Sequence, residues 1–356
     1  MRLFFASVLA ACTLSASTQS LNVRKLPKIE VAELFKTQTL VFVTLTEHPE
    51  DGPKMAKKDP ANYKIYSESI KIYNDAAQEY GQSLVGIFKD KKHMTIDEIM
   101  KLKGSEFSEF AFILPYTITT GGMTYYEDMM YDLYKKTDWA LLQENFYKIT
   151  DFTTQFNKGV FEQGSKQHFQ WGLYSRVTVN GKSTCSFSYA MNFPQTEMPL
   201  TKADMSYMYK CTKNYFNEII KDGHSDLKPS DDNALLKAKT LYLCASNLMK
   251  GFDAAAFTAS YKGKAEVLSK EAFDAKLLAG EDALFLVVYP WAYNKGVTAA
   301  LAKLGFAHII VEGKTLKAVK NYTPNKVFTG KNDKLTYEGD YEKISAKTVE
   351  EYNKAF

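Results

Sequence analysis

A chain of 356 residues, 45% hydrophobic and 24% charged, has a globular composition with room for two ordinary domains, which excludes a disordered or fibrous protein. Its formal charge of +4 rests on 45 basic residues of which only Arg2, Arg24 and Arg176 are arginine. No basic run is interleaved with aromatics, so the guanidinium clusters that read phosphates are missing and nucleic-acid binding is excluded.

In chain order, Met1-Arg2, the apolar run Leu3 to Ala11 and the small residues Ser15-Ala16-Ser17 make up the three parts of a secretory signal, residues 1–17. Leu9-Ala10-Ala11-Cys12 also resembles a lipobox, so Cys12 is either removed with the signal or retained and lipidated. No later stretch reaches the roughly 18 consecutive apolar residues of a spanning helix. The expected location is extracytoplasmic: periplasmic, outer-membrane-associated or secreted. Cys185, Cys211 and Cys244 follow, an odd set that admits a Cys185 to Cys211 disulfide or buried free thiols.

Thr39 to Leu45 is continuously β-branched and aromatic, which predicts a strand buried on both faces and hence a parallel or mixed sheet. Glu47 to Pro53 is rich in breakers and predicts a long loop. Tyr66, Ile70, Tyr73, Ala77 and Tyr80 share one helix face that ends at Gly81, and Ser83 to Phe88 is read as the next strand. Thr95-Ile96-Asp97-Glu98 is a capping box. Phe110 to Leu114 is a buried strand closed by Pro115, and Thr119 to Gly122 a turn. Trp139, Leu142, Phe146, Ile149 and Phe156 mark an amphipathic helix, and Arg176 to Tyr189 a hairpin turned by Asn180-Gly181.

The same order returns downstream. Leu34 to Val43 aligns with Leu235 to Cys244, the Thr95 helix with one capped by Ser269, and Phe110 to Pro115 with Ala283 to Pro290. The Val179 to Ser183 turn matches Val311 to Thr315, and helices capped by Thr201 with Asp204 and by Ser345 close the two copies. The expected fold is therefore α/β: two tandem related modules with mixed sheets, each with a C-terminal β-hairpin and closing helix. The first spans 28–228, enlarged by a helical insertion at 116–172, and the second spans 229–356.

Motifs for chemistry are sparse. Neither a Gly-x-Gly-x-x-Gly nor a phosphate-binding Gly-Lys-Ser/Thr loop is present; Asn180-Gly181-Lys182-Ser183 lacks the first glycine and reads as a turn. His48, His93, His168, His224 and His308 are scattered without zinc spacing, so no metal and no cofactor is expected. Glu47, His48, Glu50 and Asp51 form a candidate polar site at the end of the first strand, where α/β sheets place ligands. The acidic pairs Glu127-Asp128 and Asp231-Asp232 have no partners at a diagnostic spacing, and Asn321-Tyr322-Thr323, followed by Pro324, is a sequon that decides nothing. Tyr125, Tyr126, Met129, Met130, Tyr131, Tyr134 and Trp139 are residue types enriched at interfaces, within the segment that distinguishes the first copy from the second.

These features point to an exported, non-catalytic binding or structural component of the envelope or medium, with a protein or glycan partner. The alternative is an extracytoplasmic hydrolase using the Glu47, Glu50 or Asp51 carboxylates between the modules. The oligomeric state is left open. Intact mass of the protein from its native cell should show a soluble species beginning near Thr18; a diacylated species beginning at Cys12 would select the lipobox reading instead.

Overall fold

The computed structural model describes residues 19–21, 35–47, 51–102, 106–119, 167–179, 182–192, 201–222, 229–293, 303–322, 327–329, 335–337 and 343–356. The signal segment with Cys12, the Asn180-Gly181 turn and the Trp139 helix lie outside them. Within them, helices and two mixed sheets make this an α/β protein.

The first sheet comprises β1 (Gln19–Leu21), β2 (Thr39–Thr44), β3 (Asp90–Thr95), β4 (Phe110–Thr119), β5 (Gln167–Val179) and β6 (Lys182–Asn192), ordered β1-β6-β5-β4-β2-β3. β2 runs parallel to β3 and β4, whereas β4–β5, β5–β6 and β6–β1 are antiparallel. As its apolar run predicts, β2 buries residues on both faces, with Leu40 to Val43 all in the interior. Helices α1 (Asp51–Lys58), α2 (Pro60–Tyr80) and α3 (Ile96–Met100) connect these strands. α2 buries Tyr66, Ile70, Tyr73 and Ala77, the stripe read from their spacing. The Thr95 capping box forms as expected, with Thr95 Oγ1 accepting from Glu98 N at 3.3 Å and Glu98 Oε2 from Thr95 N at 2.7 Å.

After α4 (Lys202–Asp222), the second sheet uses β7 (Leu241–Cys244), β8 (Ala265–Leu268), β9 (Leu284–Tyr293), β10 (Lys303–Glu312) and β11 (Ala318–Tyr322), ordered β11-β10-β9-β7-β8. β7 is parallel to β8 and β9, and β9–β10 and β10–β11 are antiparallel. Strand for strand this repeats the β6-β5-β4-β2-β3 pattern of the first sheet. The helices of this half are α5 (Asn233–Ala238), α6 (Ala254–Ser260), α7 (Lys270–Ala279) and α8 (Ala346–Asn353). β12 (Val327–Thr329) and β13 (Leu335–Tyr337) pair separately.

One core lies between the sheets. Leu40, Phe42, Ala111 and Ile113 reach it from the first sheet, and Phe285, Val287, Ile309 and Val311 from the second. α2, α4 and α7 fill the space with Tyr73, Met208, Tyr209, Phe216, Phe273 and Leu277. α4, read from sequence as the closing helix of the first copy, is buried on several sides and packs on both α2 and α7. A second core behind the second sheet joins Leu241, Leu286 and Ile310 to Phe257, Ile344 and Tyr352.

Several sequence expectations are corrected. Ser83 to Phe88 is not a strand: Gly81–Leu84 is a 3-10 turn, and Val85 meets only Phe88 in an isolated bridge across Gly86, whose φ is +100°. Leu84, Ile87 and Phe88 are buried, so this apolar run lines the core as a loop. The strand is the polar Asp90–Thr95, which works because β3 is an edge. The amides of Lys91 and Thr95 on β3 are taken by the Asp90 and Glu98 carboxylates, and its lysines further discourage pairing with another chain.

Nor do Pro115 and Pro290 close their strands, since β4 runs on to Thr119 and β9 to Tyr293. The register of β2 on β4 ends at Phe42 opposite Ile113, so by Pro115 the missing N–H has only β5 beside it. The breaker-rich stretch ending at Pro53 becomes helix α1 from Asp51, with proline tolerated in its first turn. Cys211 is a buried free thiol and not half of a disulfide.

Gly313, in the turn between β10 and β11, has no room for a side chain. A Cβ there would strike the Glu281 carbonyl oxygen and stand 2.5 Å from the Phe285 ring. Gly313→Ala should lower stability by about 1–3 kcal/mol, read as a fall in the urea midpoint; an unchanged midpoint would show that the turn can shift freely.

Candidate functional site

Because β2, β3 and β4 are parallel, their carboxyl ends lie at one end of the first sheet, the end at which α/β proteins place ligands. Extending the register puts Thr44 level with Pro115, and β4 continues through Tyr116–Thr119, about 13 Å at the rise of a strand. β5 stays paired with it out to Gln167 opposite Thr119. β6 stays beside β5 as far as Asn192 opposite Gln170, so Thr117–Thr119 and Gln167–Phe169 form a two-stranded ribbon beyond the level of β2.

Beside this ribbon the chain leaves β2 under tight control. The Asn74 side chain on α2 accepts from Leu45 N at 3.0 Å and donates to Leu45 O at 2.9 Å, doing for that residue what a neighbouring strand would. Two residues on, the Glu47 carboxylate accepts from the Tyr63 hydroxyl at 3.0 and 3.3 Å. That hydrogen bond, and then the carboxylate charge, hold the Tyr63 hydroxyl above the ordinary tyrosine pKa. A Cβ on Gly52 would stand 3.3 Å from Glu47 Oε2, so glycine there lets α1 start against the carboxylate.

Of the polar residues expected at this end, the structure thus seats Glu47 with Tyr63. His48 and Glu50 lie outside the described residues, as does the side chain of Asp51, whose backbone opens α1. The interface candidates Tyr125, Tyr126, Met129, Met130, Tyr131, Tyr134 and Trp139 also lie outside them, as do Glu127-Asp128 and His224. What the described part can do chemically is accept: a carboxylate that keeps acceptor capacity beside one phenol can bind a hydroxyl or an ammonium.

The remaining candidates have structural employment. Asp232 caps α5, and Asp231 pairs with Lys320 at 2.8 Å. His308 is fully buried with Nδ1 bonded to the Tyr352 hydroxyl. His93 stacks on Phe42 with ring centroids 5.4 Å apart, and burial, aided by Lys91, holds its imidazole below the ordinary histidine pKa. Burial pushes the Cys211 thiol up to about 12, far from a reactive thiolate.

Sequence reasoning missed a cluster joining α4 to α7. Lys270 Nζ lies 3.0 Å from Asp204 Oδ1 and 2.6 and 2.7 Å from the two oxygens of Asp274. Asp204 Oδ2 also accepts from Thr201 N at 2.9 Å and from Thr201 Oγ1 at 3.0 Å. Burial holds the Asp204 carboxyl above its ordinary pKa against the pull of Lys270. For Lys270, burial works downward, but the carboxylates outweigh it and keep its pKa above the ordinary lysine value. Nearby, the buried hydroxyls of Tyr207 on α4 and Tyr289 on β9 bond to each other. The cap at Thr201 and the Lys270-Asp274 spacing were visible locally, but the 66 residues separating Asp204 from Lys270 hid their meeting.

Among the described residues, no three or more His, Cys, Asp or Glu side chains are placed to hold a metal ion, and no helix is long and apolar enough to cross a membrane. No family model matches the chain, and neither a curated protein nor a solved structure matches it. Asn74→Ala removes both clips on Leu45 and should cost about 1–3 kcal/mol, with faster amide exchange at Leu45 and Thr46; unchanged exchange there would mean that the loop holds itself.

Proposed function

We propose that this chain is an exported, non-catalytic binding or structural component, and that its insertion presents the Tyr125, Tyr126, Met129, Met130, Tyr131, Tyr134 and Trp139 side chains to a protein or glycan partner. The observation that carries this reading is the β4–β5 ribbon. It extends past the end of β2, and the two strands that lead into and out of the insertion are anchored in the first sheet. Segments carried on such rigid supports commonly hold the function of a scaffold.

The proposal includes descent from a duplicated module, 28–228 and 229–356. Supporting it are the matching strand orders and pairing senses of the two sheets, and helices capped by Thr95 and Ser269 at equivalent places. The second sheet has its own ribbon, as β9 runs through Val288–Tyr293 beyond the level of Cys244 and pairs with β10 out to Lys303. Export through the segment 1–17, to the periplasm, the outer membrane or the medium, belongs to the same reading.

Supporting a binding role is the employment of the described carboxylates: Asp204 and Asp274 grip Lys270, and Glu47, which accepts from Tyr63, is left as an acceptor for a ligand's hydroxyl or ammonium. The test places a photo-crosslinking residue at position 126, 131 or 139 in the producing cell, beside a glycan array and chromogenic ester, glycoside and peptide substrates. The expected result is one discrete adduct or one glycan class, lost when Tyr131 and Trp139 become Ala while the melting temperature is kept. Turnover of any substrate that Glu47→Gln abolishes would overturn the binding reading in favour of the hydrolase.

A further inference from the structure

Helices α4 and α7 begin beside one another, the first after Thr201 and the second after its cap Ser269. Each sends a carboxylate onto the same ammonium: Asp204 from α4, and Asp274 from α7, where Lys270 also resides. Two carboxylates and one ammonium sum to one negative charge, in side chains only 6%, 10% and 14% exposed. The positive ends of two helices offset part of this excess, yet a charge withdrawn from water without a full counter-charge remains costly. One proton would make the cluster neutral.

We infer that the Asp204–Lys270–Asp274 cluster is a proton-binding junction: on acidification Asp204 takes up one proton, which removes the uncompensated buried charge between α4 and α7 and raises the stability of the folded chain. Asp274 keeps both oxygens on Lys270 at 2.6 and 2.7 Å, whereas Asp204 reaches it through one oxygen at 3.0 Å. The proton therefore goes to Asp204. Its other oxygen keeps the Thr201 amide and hydroxyl, so the cap of α4 persists.

The remaining charged groups around the cluster do not supply the missing positive charge. On α4, Lys202 is engaged 2.7 Å from Glu79 of α2 and sits over the Tyr80 ring. On α7, Glu271 adds a further carboxylate at the helix start, held below its ordinary pKa by its backbone hydrogen bond and by Ser269. The direction in which burial moves Asp204, upward, agrees with the inference. Its sign follows from linkage. A carboxyl that binds its proton more readily in the folded than in the unfolded chain adds stability as pH falls toward the ordinary aspartate value of about 3.9 and loses it as pH rises through the raised value.

The experiment is equilibrium unfolding of the full chain between pH 7 and pH 4, for the parent and Asp204→Asn. The ratio of the parent folding constant to that of the variant should rise on acidification, by at most about tenfold per pH unit for one proton. His93, which burial moves the opposite way, is present in both chains and cancels. A ratio that stays flat or falls overturns the inference. Lys270→Met provides the second arm, since it leaves both carboxylates without their cation. It should be weak or unfolded at pH 7 and regain structure by pH 5, while a loss that is equal at both values again overturns it.

Discussion

Burial of α4 is the constraint on which the rest of the described structure depends. A helix with Met205, Met208, Tyr209, Cys211, Tyr215 and Phe216 in the interior cannot lie on a surface, and it supplies apolar area to a core that the two sheets share. With α4 in place, α2 packs on one side and α7 on another. Each sheet then closes the core with one face, Phe42 and Ile113 from the first and Phe285 and Val311 from the second. Whatever the history of the two halves, their hydrophobic stabilisation is not separable at the 222–229 connection.

This arrangement sets strict terms for the polar groups carried inward. The Asp204 and Asp274 carboxylates share the Lys270 ammonium, and Thr201 gives Asp204 two further donors, because a buried carboxylate without donors would destabilise the junction. Tyr207 and Tyr289 solve the same problem with two hydroxyls, each meeting the demand of the other for a partner. Both devices lie between α4 and the second half of the chain, so the polar interior helps specify how the halves are joined.

The outward-facing consequence is at the ends of the parallel strands. Three parallel strands place the β2, β3 and β4 termini together, and β4 with β5 overruns that end. The Asn74 clip and the Glu47–Tyr63 hydrogen bond keep the neighbouring loop against α2.

Local physics was legible in the sequence. The buried strand at Thr39, the Tyr66-Ile70-Tyr73 face and the caps at Thr95, Thr201, Ser269 and Ser345 rest on interactions within a few residues, and the structure contains each of them. The order of these elements also announced an α/β chain with two mixed sheets. What failed was reasoning from composition where neighbours decide. Asp90–Thr95 is a strand because β2 offers it an edge, Ser83 to Phe88 is a buried loop because Gly86 turns it back, and Pro115 continues a strand because the pairing of β4 with β2 has already ended. Of the candidate site, Glu47 could be named from its place after a strand, but Tyr63, Asn74 and Gly52 come to it from α2 and α1. The meeting of Asp204 with Lys270, and the conversion of a closing helix into the centre of a shared core, were decided by tertiary structure alone, because both depend on burial and on contacts between residues far apart in the chain.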